Sequence, residues 1–201
     1  MSTVVSFEKG KAYQRKRLHD NYGGQRQGGI STSAKYPIIM LFDTTSGHEY
    51  GYRDGFTEDG IYEWTGEGQT GVMKLSRGNR AIHNHLEDGK KIHLFQESNP
   101  GWVRYIGEMV SVGYFLHDGV DRDGNLRKLI VFNLAPVETP REQLDEFRMR
   151  TLSQTSKSPK RKQKRILLCP RCGKEYSIEE HGIIRFCIEC GSFLSQKIKF
   201  E

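Results

Sequence analysis

The 201-residue sequence has no apolar run that approaches the ~18 residues of a membrane-spanning helix. Its first residues, MSTVVSFEKGK, lack the apolar core of a secretory signal peptide. The sequence also lacks a GxSxG motif, a P-loop, and paired carboxylates spaced to hold a metal. We therefore expect a cytosolic protein without membrane partners, and we recognise no catalytic constellation.

Cysteine is scarce, and its four copies form two CxxC pairs, Cys169/Cys172 and Cys187/Cys190. In a reducing compartment, two such pairs near one end make a poor disulfide framework but a good metal site. A glycine follows each pair, so that backbone amides can face the sulfurs, and fourteen residues between the pairs suit a hairpin. The pattern predicts a zinc ribbon in which four thiolates hold one structural Zn²⁺ with no open position for water.

The charge is unevenly distributed along the chain. Residues 1–150 contain 20 basic and 20 acidic side chains, whereas residues 151–201 contain 11 and 5. Within the balanced part, residues 9–35 carry seven basic side chains against Asp20, and residues 43–67 carry seven acids against Arg53. A basic lip beside an acidic, aromatic interior could attract a nucleic-acid backbone and offer acceptors to the amino group of a base. The alternative is ordinary solvated charge.

The apolar pattern predicts an α+β protein that is mainly β. Short apolar runs separated by turn signals recur through the first 137 residues, among them YPIIMLF, IYEW, GVMKL, KIHLF, VRYIGEMVSVGYFL and LRKLIVFNL. Asp-Gly in DRDGNL, residues 121–126, predicts a hairpin between two of these strands. Residues 77–90 are the best helical candidate inside the β region, with Gly89 placed to end the helix.

A second helix is predicted to begin at Thr139, where a hydroxyl, a proline and Glu142 fit a capping box. Its apolar face would contain Leu144, Phe147 and Leu152. The following stretch, SQTSKSPKRKQKR, has no large apolar residue and predicts a disordered linker, either a phosphate tether or a solubilising spacer. The predicted organisation is a β domain over 1–137, a connecting helix over 138–152, a basic linker over 153–165 and the zinc ribbon over 166–201.

Several separated motifs occur in the order of a known family: GYRDGF, YEWTGEGQ, GNRAI, VRYIGEMVSVGYFL and a late hydrophobic strand. Over roughly residues 7–137 the chain resembles the SRA (SET- and RING-associated) domain, in the divergent bacterial form of modification-dependent (type IV) restriction proteins fused to HNH nucleases. Here a zinc ribbon stands in place of the nuclease. The resemblance implies a twisted PUA-like β-barrel that binds duplex DNA and rotates a modified cytosine into a pocket.

Matching the family's pocket by order assigns four base-binding residues. Tyr52 and Trp64 would be the stacking faces, Asp54 the acceptor for the cytosine amino group, and Thr65 part of the pocket wall. The neighbouring Asp59 is an alternative to Asp54. Without the resemblance, both aromatic residues would be interpreted as core residues of a barrel, and Asp54 as a turn cap.

The resemblance also implies two DNA-contacting segments. One is the glycine-rich loop over 23–29, with Gln25, Arg26 and Gln27. The other contains Arg77, Asn79 and Arg80, for which the alternatives are a helix cap and, at Arg80, a pair with an internal acid.

These patterns favour a nucleoid-associated reader of 5-methyl- or 5-hydroxymethylcytosine in double-stranded DNA, within a type IV restriction-like system. The ribbon would recruit a separate nuclease or another protein, bind nucleic acid, or serve only as a structural cap. Two alternatives remain: a modification-dependent endonuclease whose active site is not recognised, and an RNA-binding protein built from a PUA-like barrel and a zinc ribbon.

Overall fold

The structure is a computed structural model that describes residues 5–44, 54–156, 163–177 and 186–200. The chain divides into two compact units, Met1–Ser158 and Pro159–Glu201. The strands of the N-terminal unit are β1 (Ala12–Gln14), β2 (Ile30–Thr32), β3 (Ile38–Asp43), β4 (Gly55–Phe56), β5 (Tyr62–Thr65), β6 (Lys91–Asn99), β7 (Trp102–Val120) and β8 (Leu126–Pro136). Its helices are α1 (Arg15–Tyr22), α2 (Arg77–His83) and α3 (Arg141–Ser156).

The eight strands form one sheet in the order β2-β3-β6-β7-β8-β5-β4, and β1 pairs with β7. β3 and β6 are parallel, and the other pairs are antiparallel. The predicted hairpin between β7 and β8 is confirmed. There the Asp121 carboxylate accepts hydrogen bonds from the Asp123 and Asn125 amides, and Gly124 adopts a positive φ of 81°.

β3 shows how the sequence builds a core on both faces of the sheet. All six of its residues are buried, as is typical of a strand covered on both sides. Because side chains alternate along a strand, Ile39 and Leu41 join one apolar cluster, whereas Ile38, Met40 and Phe42 join the other. Both faces of the sheet are thus buried at this strand. The mainly β prediction is confirmed by the eight-stranded sheet.

α2 occupies only the first half of the predicted helix over 77–90. It ends at His83, and turns lead to Gly89, which has a positive φ of 61°. The buried His85 explains the early end, because its Nδ1–H donates to the Lys90 carbonyl (2.9 Å) and its Nε2 accepts from the Ser111 amide (3.1 Å). Burial lowers the pKa of His85, which favours the neutral ring that an accepting nitrogen requires.

α3 is longer than predicted and packs on the sheet through a slightly different face. Leu144 and Phe147 lie against an apolar cluster on the sheet, as expected. The assignment of Leu152 to this face is wrong, since it is 65% exposed. Thr151 is buried instead, and its hydroxyl accepts a hydrogen bond from Asn133 Nδ2 at 2.8 Å.

The predicted linker over 153–165 is also corrected at both ends. Residues 153–156 continue α3, and residues 163–165 belong to a strand. The remaining residues, 157–162, lie outside the described part of the chain. The C-terminal unit contains β9 (Gln163–Leu168), β10 (Glu175–Ser177) and β11 (Ser195–Phe200), in the antiparallel order β10-β9-β11.

Among its described residues, the C-terminal unit has a small apolar core. Leu167, Tyr176 and Leu194 pack with Cys169 and Cys187.

No helix in the described part of the chain combines the length and apolar character that crossing a membrane would need.

Candidate functional site

A cavity of about 220 Å³ lies where α1, the loop before β2, and the ends of β3 and β5 meet. Its lining residues are Arg15, Gly28, Gly29, Ile30, Phe42, Thr44, Asp54, Trp64, Thr65, Gly66, Glu67, Gly68 and Gln69. Three of the four predicted base-binding residues, Asp54, Trp64 and Thr65, therefore line one cavity. The fourth, Tyr52, lies outside the described residues.

Asp54 is held at the cavity by the β4–β5 hairpin. It precedes β4, and its Oδ1 accepts a hydrogen bond from the backbone amide of Thr65, the last residue of β5, at 2.7 Å. The alternative acid, Asp59, pairs instead with Arg150 of α3 and lines a separate small cleft. The structure thus places Asp54, and not Asp59, beside Trp64.

Trp64 is both a core residue and a wall of the cavity. Only 3% of it is exposed, and it packs in the larger apolar cluster with Ile30, Tyr62 and Phe132. Its Nε1–H is buried and has no hydrogen-bond partner in the described part of the chain. The Gly29 backbone lies so close that a Cβ there would sit 3.1 Å from Trp64 Cζ2. The Gly29 backbone therefore packs close to the six-membered ring of the Trp64 indole.

The Tyr62 side chain, next to Trp64 in the same core, anchors a buried polar pair. The Tyr62 hydroxyl donates to Asp43 Oδ2 at 2.7 Å, and Gln96 Nε2 donates to the same oxygen at 3.1 Å. Burial, followed by the hydrogen bond to Asp43, raises the pKa of Tyr62, so the phenol stays protonated. These bonds tie β5 to β3 and β6.

An open groove of about 1050 Å³ adjoins the cavity, with which it shares Gly28, Glu67, Gly68 and Gln69. Four of the six predicted DNA-contacting residues line this groove: Gln25, Arg26, Gln27 and Arg77. Arg26 Nη2 lies 2.5 Å from Asp20 Oδ1, and both side chains are exposed. Arg77 adopts a positive φ of 48°, which is uncommon for a residue other than glycine. Arg80 is exposed on α2.

Asn79, the remaining residue of that set, is only 1% exposed. Its Oδ1 accepts from the Glu67 amide (2.8 Å), and its Nδ2 donates to the Glu67 and Lys74 carbonyls (2.9 and 3.0 Å). Glu67 in turn accepts from the Gly78 amide through Oε1 (2.8 Å). This burial does not fit the expected DNA contact, and Asn79 instead positions the turn that forms one side of both cavity and groove.

Arg15 is a cavity residue that the sequence analysis did not single out. Its guanidinium lies over the Phe42 ring, with Cζ 4.3 Å from the ring centroid, and Nη2 donates to the Gly28 carbonyl at 2.5 Å. In the sequence it is the first of three consecutive basic residues within the basic segment over residues 9–35. Arg15 lines the cavity, whereas Arg17 on the same helix lines a different cleft. This difference depends on how α1 packs, which the sequence alone does not show.

The C-terminal unit brings the four cysteines together. Their Sγ atoms all lie within 4.8 Å of one another. The two CxxC turns share one hydrogen-bond pattern, in which Gly173 and Gly191 donate to the Cys169 and Cys187 carbonyls, each at 2.9 Å. Both glycines have a positive φ, 74° and 69°, and so meet a requirement that other residues rarely satisfy. Four thiol groups at this spacing can bind a metal ion.

Comparisons with known proteins agree with the fold. A family model described as "ScoMcrA-like, SRA domain" matches residues 9–156, more than half of the chain. No curated protein matches the sequence.

Solved structures with the same fold include three informative relatives. The sulfur-binding and SRA domains of ScoMcrA, complexed with phosphorothioated DNA, are 23% identical over 71% of this chain and 45% of that one, with a TM-score of 0.58. The type IV phosphorothioation-dependent restriction endonuclease ScoMcrA is 26% identical over 72% of this chain and 32% of that one, with a TM-score of 0.57. The SUVH5 SRA domain with fully methylated CG DNA is 19% identical over 69% of this chain and 95% of that one, with a TM-score of 0.50.

The chain thus spans less than half the length of both ScoMcrA structures, and the likenesses to the 23% identical ScoMcrA domains and to SUVH5 concern the fold alone. The family model agrees with the motifs that suggested the resemblance. The chain belongs to the ScoMcrA-like SRA domain family.

Proposed function

We propose that the N-terminal unit reads a modified cytosine in duplex DNA by taking the extruded base into the cavity beside Trp64. One observation carries this proposal. Asp54, Trp64 and Thr65, from different parts of the β4–β5 hairpin, line one cavity, and this cavity adjoins a groove that carries Gln25, Arg26, Gln27 and Arg77. The solved SRA relatives support it, since those structures contain DNA that is phosphorothioated or methylated.

The chemistry of the cavity suits cytosine. The Asp54 carboxylate would accept a hydrogen bond from the exocyclic amino group, whereas thymine presents an oxygen at that position and would be repelled. Extruding a base costs a few kcal/mol, and stacking on an aromatic side chain can return ~1–3 kcal/mol. Trp64 supplies one such ring, and Tyr52 remains the proposed second ring.

Recognition of the modification is expected to contribute less binding free energy than recognition of the base itself. A single methyl group in a fitted apolar niche contributes about 0.8 kcal/mol. The proposal therefore includes 5-methyl- and 5-hydroxymethylcytosine as ligands. The groove residues, together with Arg80, would contact the backbone and fill the gap that the extruded base leaves.

The C-terminal unit is proposed to be a zinc ribbon with Cys169, Cys172, Cys187 and Cys190 as ligands. Four sulfur donors suit zinc, and a complete cysteine set leaves no open coordination position. When bound, the ion would supply structure rather than chemistry. Within a type IV restriction-like system in the cytoplasm, the ribbon would recruit a separate nuclease or another protein to the marked DNA.

The test compares the affinity of the full chain for identical duplexes that carry cytosine, 5-methylcytosine, 5-hydroxymethylcytosine or a phosphorothioate linkage. Asp54→Ala should weaken binding to the modified base by at least about 1 kcal/mol, because it removes a charged hydrogen-bond acceptor. Asp59→Ala is the matched control, since this acid pairs with Arg150 outside the cavity. Equal affinity of the wild type for all cytosine duplexes would contradict the proposal.

Fluorescence provides a second measurement that does not perturb the cavity. The chain has two tryptophans, and the 41% exposed Trp102 lies outside the cavity. A Trp102→Phe variant leaves Trp64 as the single indole, and stacking of a base should quench its emission with modified DNA but not with plain DNA. Competition by structured RNA without a preference for modified DNA would favour the RNA-binding alternative. Mg²⁺-dependent cleavage of methylated DNA by the purified chain would favour the nuclease.

A further inference from the structure

The Arg15 side chain is fixed in place beside the cavity by three contacts. Its guanidinium stacks on Phe42, its Nη2 donates to the Gly28 carbonyl, and its Nε lies 3.5 Å from His19 Nε2. The backbone amide of Arg15 also donates to the Gly101 carbonyl at 2.9 Å, which anchors the start of α1. The guanidinium is therefore held in one orientation rather than extended into solvent.

These contacts leave the charge of Arg15 without a carboxylate partner among the residues that the structure describes. Burial lowers its pKa, and Glu97 opposes this only in part, but a guanidinium stays protonated in proteins. A cation that is partly removed from water is costly unless it is paired. Arginine has five N–H donors, and Gly28 and His19 engage two of them. The other N–H groups of Arg15, which lines the cavity, have no acceptor among the residues that the structure describes.

Two complementary groups thus line one cavity: the Asp54 carboxylate, which only accepts, and the Arg15 guanidinium, which only donates. The Watson–Crick edge of cytosine presents an amino donor followed by two acceptors, N3 and O2. Enzymes that extrude a base commonly read this edge by hydrogen bonds. Asp54 alone addresses one of its three positions.

We infer that Arg15 is a further base-reading residue, which donates hydrogen bonds to N3 and O2 of the extruded cytosine while Asp54 accepts from its amino group. This inference rests on the proposed function and deepens it. It assigns selection of the base to an acid and arginine pair, and leaves the rings and the apolar wall to recognise the planar shape and the 5-substituent. Thymine would be disfavoured twice, at its O4 by Asp54 and at its N3–H by Arg15.

The experiment is a thermodynamic cycle that combines a substitution in the protein with a substitution in the base. Wild type and Arg15→Met are titrated with duplexes that contain 5-methylcytosine or 3-deaza-5-methylcytosine, in which C–H replaces N3. The loss of a charged hydrogen bond should weaken binding of 5-methylcytosine to Arg15→Met roughly 10- to 100-fold. The same substitution should cost markedly less with the deaza base, because the acceptor is already missing. The weaker pairing of the deaza base eases extrusion equally for both proteins and cancels in the cycle.

Arg17→Met is the matched control, since Arg17 lies on the same helix and carries the same charge but lines a different cleft. It should reduce only salt-sensitive background binding, equally for both bases. If Arg15→Met does not fold, Arg15→Lys takes its place in the cycle, because lysine keeps the charge but lacks the planar guanidinium.

The outcomes separate this inference from the proposed function. If the wild type prefers modified DNA but the Arg15 substitution costs the same with both bases, Arg15 does not read N3 and the proposed function stands. If Arg15→Met binds like the wild type, the inference is likewise overturned. If the wild type shows no preference for modified cytosine, both fail.

Discussion

The cysteine site and the base cavity differ in how the chain assembles them. The four cysteines lie between residues 169 and 190, in two turns that repeat one hydrogen-bond pattern. The cavity draws on residues from Arg15 to Gln69, which reach it through α1, a loop, β3 and β5. A site built from short local turns can be recognised from spacing alone. A site built from distant elements depends on how the sheet is connected.

The two regions also differ in what stabilises them. The N-terminal unit has apolar clusters on both faces of β3, with residues such as Ile39 and Phe42 fully buried or nearly so. Among its described residues, the C-terminal unit buries Leu167, Tyr176 and Leu194 beside its cysteines. A unit of this size usually needs a disulfide or a metal in order to fold. The difference predicts that one unit folds without a metal and the other does not.

Metal removal should therefore have the largest effect and should be confined to one unit. Chelation, or Cys187→Ser, is expected to unfold the C-terminal unit, because metal binding in such sites supplies on the order of 10 kcal/mol. Amide NMR spectra would show the loss of dispersed signals from residues 163–177 and 186–200. Both tryptophans lie in the N-terminal unit, so their fluorescence should not change.

Glu189→Ala is the control for that experiment, since it alters the same turn but keeps all four thiols. Its carboxylate pairs with Lys174 at the surface, and surface pairs contribute little. If the C-terminal unit keeps its spectrum in excess chelator, the prediction that this unit needs a metal in order to fold is wrong.

Asn79→Ala should have the next largest effect, this time on the N-terminal unit. It removes three hydrogen bonds and leaves the Glu67 amide without its acceptor, at a cost of roughly 2–3 kcal/mol in the free energy of unfolding. Denaturant unfolding followed by tryptophan fluorescence measures this cost. Arg80→Ala, on the exposed part of the same helix, should leave stability unchanged. If Asn79→Ala is as stable as the wild type but loses DNA binding, the original assignment of a DNA contact is right.

Gly29→Ala should have the smallest effect and should act on binding. The added Cβ would lie 3.1 Å from Trp64 Cζ2 and 3.3 Å from Cη2, which is tighter than an ordinary contact. The added methyl group should narrow the cavity beside Trp64, which Gly29 also lines, and weaken binding of modified DNA by about 1 kcal/mol. Gly107→Ala is the control, because a Cβ there meets nothing within 4 Å. Equal binding by both variants would show that a base does not approach Trp64 past Gly29.

Several elements could be predicted from the sequence because short-range chemistry specifies them. The 121–126 hairpin follows from Asp-Gly between two alternating apolar runs, and the Cys ligand set follows from its spacing. The α3 prediction fails at Leu152 because nothing local shows that Thr151, one position earlier, faces the sheet and bonds Asn133. The end of α2 depends in the same way on the distant Ser111, to which His85 is bonded.

The sequence by itself determined the mainly β class, the family, and the four clustered cysteines, because each depends on the order and spacing of a few residue types. The tertiary structure alone decided that Asp54 lines the cavity while Asp59 pairs with α3, that Asn79 is internal, and that Arg15 faces the cavity while Arg17 does not. The physical reason is that neighbouring residues of one charge are interchangeable along the chain. They become distinct only when the packing of helices and strands places one side chain at a cavity and leaves the next elsewhere on the surface.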